Sequence, residues 1–109
     1  MMNCEMKLLC KQPNLLNFLE LEIDKFLSSN KGRAFTSYEI YNVLPSSLQN
    51  GLILIAKGYS PRSAMSVPAA YVGSCAAYMA QKVSYGIQHT QKNCSILHRV
   101  EDAFLCEEE

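Results

Sequence analysis

AFTSYEIYNVLP, residues 34–45, carries both boundaries of a short helix within twelve residues. Thr36 stands three residues before Glu39, Phe35 precedes Thr36, and Ile40 follows Glu39. With Thr36 as N-cap, its hydroxyl accepts from the Glu39 N–H while the Glu39 carboxylate accepts from the Thr36 N–H. This reciprocal pair is a capping box. Phe35 and Ile40 then occupy the two positions of a hydrophobic staple, which sets the angle at which the chain enters the helix. Pro45 disfavours helical geometry at Leu44 and ends the element. About two turns of helix are too few to be stable alone. Such a segment is built to hold something else in place.

The bulk properties set the frame. A chain of 109 residues, 49% of them apolar, suggests one domain with a modest core. No apolar run approaches the roughly 18 residues that span a bilayer. The first twelve residues, MMNCEMKLLCKQ, carry an acid at Glu5 and lack the long apolar core of a signal peptide. Cys4, Cys10, Cys75, Cys94 and Cys106 are odd in number, irregular in spacing and without a C-x-x-C pair. They read as reduced thiols, and the expected location is cytoplasmic. The formal charge is zero but unevenly spread. From Ile40 to Val100 there is no acid, while Lys57, Arg62, Lys82, Lys92 and Arg99 lie in that span. Acids cluster before and after it, in Glu20, Glu22 and Asp24 and in Glu101, Asp102 and Glu107–Glu109. A weakly basic body between acidic flanks is compatible with a polyanionic partner, and equally with an ordinary solvated surface.

Pro13 to Gly32 is the clearest helix. Leu15, Leu16, Leu19, Ile23, Phe26 and Leu27 recur at helical spacing, with Phe18 and Leu21 widening the face. Arg33 to Phe35 is long enough only for a brief strand. Ser46 to Tyr59 supports two readings. Ser46 or Ser47 as cap and the closing Lys57-Gly58 favour a helix, whereas Gly51 and the run Leu52–Ile55 suit a buried strand. Ser66 to Val83 is a second clear helix, with Pro68 in its first turn and an apolar stripe of Val72, Cys75 or Ala76, Met79 and Val83. Two β-prone runs, Tyr85–Gln91 and Cys94–Val100, flank Lys92-Asn93 and predict a β-hairpin turning at that pair. The expected organisation is an N-terminal arm over 1–12, a domain over 13–100 and an acidic tail over 101–109.

RAFTSYEIYNVLP, SVPAAYVGSCAAYMAQKVSYGIQ and the hairpin after them resemble the winged helix-turn-helix superfamily across roughly residues 14–100. The resemblance implies an α+β, mostly helical fold with three to four helices and a C-terminal β-hairpin. It also implies a small DNA-binding transcriptional regulator that binds double-stranded DNA as a dimer. Helix 66–83 would enter the major groove, hairpin 85–100 would be the wing, and the short capped helix would brace the recognition helix. Arg62, Ser63 and Ser66 would contact phosphates. Tyr71, Ser74, Tyr78 and Gln81 would face base edges or backbone, Lys82 a phosphate, and Lys92 and Asn93 the neighbouring groove. The segment 46–66 is longer than the family's usual turn, and helix 66–83 is poor in arginine and rich in small residues, Ala69, Ala70, Gly73, Ala76, Ala77 and Ala80.

A second function suits the same scaffold. Ala70, Gly73 and Ala77 lie at helical spacing beside Tyr78, a smooth surface on which another protein's helix can pack. A non-enzymatic protein–protein docking module is therefore the alternative. Homodimerisation through the apolar first helix and the arm is a further expectation. Catalysis, cofactors and metals are not expected. No phosphate-cradling glycine motif is present, and His89, Cys94 and His98 have a spacing unlike that of zinc sites.

Overall fold

Asn3 opens the first helix: its side chain accepts from the Met6 N–H at 2.9 Å. That helix, α1 (Cys4–Cys10), buries Met6 and Leu9 against the chain's own later helices. The expected arm is thus an element of this fold from Asn3 onward. The computed structural model describes residues 3–108, so Met2 of the arm and Glu109 of the tail lie outside it.

The long helix α2 (Pro13–Ser28) starts with Pro13 in its first turn and buries Leu19, Ile23 and Leu27. Leu15, Leu16, Phe18 and Phe26 pack beside them, whereas Leu21 stays 62% exposed. A turn follows to Gly32, whose φ of 81° lies in the left-handed region that favours glycine. Its N–H donates to the Cys106 carbonyl at 2.8 Å and aligns strand β1 (Phe35–Thr36) with the sheet. The short helix α3 (Ser37–Val43) then follows, and Leu44 is extended before Pro45, as the sequence predicts.

Residues Ser46–Ala56 form helix α4 and not a strand. The expected serine cap is absent: Pro45 occupies the N-cap position with no side-chain bond. Gly51 marks a close approach, since a Cβ there would sit 2.9 Å from Leu15 Cδ1 of α2. Helix α5 (Pro68–Ala80) is shorter than the predicted 66–83, with single 3-10 turns at Ala64–Ser66 and Val83–Tyr85 on either side. Val83 is not part of the apolar stripe; it is 98% exposed on the second of these turns.

The predicted hairpin is displaced. Strand β2 is Ile87–Asn93 and strand β3 is Val100–Cys106, in continuous antiparallel register from Ile87↔Cys106 to Asn93↔Val100. The turn is therefore 94–99, not Lys92-Asn93, and it contains His98 at φ 54°. Residues 101–106, expected to start an acidic tail, form the central strand of a sheet ordered β1-β3-β2. The cause is burial. Phe104 and Cys106 join the core cluster with the helices and Ala103 is buried as well, and this outweighs the local turn preference of Lys92-Asn93. The α+β expectation holds, but the described residues form five α-helices and not the expected three to four, since residues 4–10 and 46–56 are both helical, with three strands.

Helix α5 lies at the centre. It packs against α1, α2, α3, α4 and both long strands, and buries Ala69, Tyr71, Val72, Cys75, Ala76 and Met79.

Candidate functional site

The capping box at Thr36 and Glu39 forms as its spacing predicts. The Glu39 N–H donates to Thr36 Oγ1 at 3.3 Å, and the Thr36 N–H donates to Glu39 Oε1 at 2.9 Å. The same side chains reach the hairpin. Glu39 Oε2 accepts from the Ser95 hydroxyl at 2.6 Å and the Ser95 N–H at 3.1 Å. Lys92 Nζ lies 3.3 Å from Glu39 Oε1 and donates to the Ala34 carbonyl at 3.0 Å. Partial burial opposes ionisation of Glu39. The bonds from Ser95, the Thr36 N–H and Lys92 outweigh it and bring the pKa down from 4.5 to about 2. The Thr36 hydroxyl, fully buried, donates to Cys94 Sγ at 3.3 Å. Burial works against the Cys94 thiolate too, yet the Thr36 hydroxyl and the N–H groups of Leu97 and Ile96 hold its pKa below the ordinary value. The short helix is thus a clasp that fixes the hairpin turn.

The sequence-predicted contact residues do not form one face. Arg62 is exposed in the loop before α5. Ser63 caps the first 3-10 turn by accepting from the Met65 N–H at 3.1 Å, and Ser66 donates to the Ser63 carbonyl at 2.7 Å. Tyr71, expected to face base edges, is fully buried with its hydroxyl donating to the Met65 carbonyl at 2.6 Å. Ser74 accepts from the Asn3 side chain at 2.9 Å. Lys82 sits over the Tyr78 ring at 4.6 Å and near the Tyr85 ring at 5.9 Å, beside exposed Gln81. Lys92 is held by Glu39 and Ala34 away from the hairpin turn, and Asn93 ends β2. The smooth face of α5 is partly occupied by the chain itself: a Cβ at Gly73 would lie 3.1 Å from Ser37 Cβ of α3.

What remains open along α5 is a groove of about 270 Å³. Ala70, Gly73, Ser74 and Ala77 come from the helix, Asn3 from the start of α1, and Ser37 and Tyr38 from the start of α3. The opposite wall is the sheet, through His89, Glu101, Asp102 and Phe104. The His89 ring stacks on Phe104 at 4.8 Å and its Nε2 lies 3.4 Å from Asp102 Oδ1. Glu101 is engaged by Arg99, whose Nη2 lies 3.0 Å away. Asp102 is 62% exposed in its side chain. The groove carries two carboxylates and no lysine. It is small beside the 300–1,000 Å³ typical of small-molecule pockets, and suits one or two side chains.

Most of this wall was not legible as a site. Glu101 and Asp102 read as tail, and only the apolar Phe104-Leu105-Cys106 run after them signals a buried strand. His89, noted with Cys94 and His98, lies at the groove instead of in a metal cluster. Among the described residues no group of three His, Cys, Asp or Glu side chains is placed to hold a metal ion. None of the five cysteines is in a disulfide. No helix of the described residues is long and apolar enough to cross a membrane. Comparison with protein-family models, curated proteins and solved structures finds no match.

Proposed function

We propose that this chain is a non-enzymatic protein-docking module on a winged-helix scaffold, receiving a partner's basic segment in the groove between α5 and the sheet. The connectivity α2-β1-α3, then α5-β2-β3 with sheet order β1-β3-β2 and α4 inserted, supports the winged-helix reading. The observation that carries the docking reading is the character of the one open strip of α5. Its floor is Ala70, Gly73, Ala77 and Phe104, and Asp102 stands exposed at its rim. A small apolar side chain fits the floor, and an adjacent Lys or Arg meets Asp102. Selection from a displayed library of random peptides tests this. Enriched peptides should pair a basic residue with a small apolar one, shift the amide signals of Ser74, Ala77 and Phe104, and bind about tenfold more weakly to Asp102→Lys. Binders that map elsewhere, or that ignore the charge reversal, would refute the reading.

A DNA-binding regulator is the second reading, favoured by the acid-free span from Ile40 to Val100 and by exposed Arg62 and Lys82. Its contact face would be the loop before α5 and the end of that helix, since Tyr71 and Lys92 are engaged inside the fold. Fluorescence anisotropy with mixed duplex DNA at two salt concentrations distinguishes the readings. Binding that weakens steeply with salt and is lost in Arg62→Glu/Lys82→Glu supports DNA. No binding at low salt removes it.

A further inference from the structure

Strand β2 is the longer of the sheet's two edges: the order is β1-β3-β2, and no strand of the described residues lies beyond it. The hydrogen bonds at its two ends establish which backbone groups face outward. The Glu107 N–H donates to the Gly86 carbonyl at 3.3 Å, and the Cys94 N–H donates to the Arg99 carbonyl at 2.8 Å. Even-numbered residues of this ladder therefore bond to β3, because bonded pairs alternate in antiparallel sheets. Ile87, His89, Gln91 and Asn93 direct their N–H and C=O groups away from it.

This edge lacks the usual protections. Ile87–Asn93 contains no proline, and its register shows no bulge. Its one lysine, Lys92, is turned to Glu39 and Ala34.

We infer that β2 pairs with β2 of a second copy of this chain, antiparallel about a twofold axis at Thr90, joining two three-stranded sheets into one of six. In that register Ile87 faces Asn93′, His89 faces Gln91′ and Gln88 faces Lys92′, the prime marking the second copy. Every outward-facing pair is then a bonding pair, giving about eight main-chain hydrogen bonds. The strand is its own complement in charge: Lys92 meets an amide and His89 meets an amide, so no like charges are opposed. The contact is isologous and closed, so it stops at two copies. It does not rest on the groove reading.

Light scattering after size exclusion, across a dilution series, tests the pairing together with Gln91→Pro. The Gln91 N–H faces outward, so proline there removes an edge donor and leaves the β2–β3 ladder intact. The expected result is a dimer that becomes monomeric in Gln91→Pro with an unchanged circular dichroism spectrum. Amide exchange checks it without mutation. His89 and Gln91 should exchange at least about tenfold more slowly in the dimer than after dilution to monomer. A wild-type chain that is monomeric at hundreds of micromolar overturns the inference. So does a dimer that survives Gln91→Pro, or one in which the His89 and Gln91 amides stay unprotected.

Discussion

Glu39 is the residue on which local and long-range order meet. Its carboxylate caps α3 and also receives Ser95 and Lys92 from the hairpin. With its pKa lowered from 4.5 to about 2 in the folded chain, Glu39 binds fewer protons folded than unfolded across that interval. Its contribution is complete above about pH 4.5 and is lost as pH falls toward 2. Glu39→Gln should cost on the order of 2–3 kcal/mol at neutral pH. In urea titrations the gap to wild type should close progressively below pH 4.5. A gap that stays constant down to pH 2 would mean the charge is not what the hairpin uses. Thr36 has a parallel double role, so Thr36→Val should lose about 1–2 kcal/mol while Thr36→Ser keeps most of it. The cap was readable from spacing alone. The contacts with Cys94 and Ser95 were not, because their partners are 58 and 56 residues away.

At the scale of elements, periodicity located the helices and failed on their surroundings. Helix α2 follows its apolar stripe, and α5 follows its proline start. Which face of α5 is free could not be read from its small residues, because small residues permit close packing by any neighbour. Here the neighbour is α3, whose Ser37 lies against Gly73. Gly73→Leu should therefore destabilise the chain by about 1–3 kcal/mol through overpacking, seen as a lowered thermal midpoint. Because Gly73 also lines the groove, loss of a partner in that variant counts as a blocked surface only where the thermal midpoint shows the chain still folded. Gly86 is a different case. It has open space around it but a φ of 63°, so Gly86→Ala should cost about 1 kcal/mol from backbone strain alone. The hairpin was misplaced because Lys92-Asn93 is a good local turn, while the strand that pays for pairing is the later one, with Phe104 and Cys106 in the core.

For the whole molecule, the chain's last strand is also its middle one. Strand β3 pairs with β1 on one side and β2 on the other, so truncation has a sharp boundary. A chain ending at Val100 should not fold, as judged by lost near-ultraviolet dichroism and rapid proteolysis. A chain ending at Glu107 should retain a cooperative thermal transition. An acidic tail that was merely appended would tolerate both. The sequence by itself determined the α+β class, the two long helices, the capped short helix and its stop at Pro45, because these follow from spacing within a few residues. Only the tertiary structure decided that α1 belongs to the core, that α5 is enclosed, that residues 101–106 complete the sheet, and that His89 and Asp102 share a groove with α5. Those outcomes depend on which apolar surfaces find each other across the chain. Burial of Met6, Tyr71 and Phe104 settles them through contacts between distant segments that no local pattern encodes.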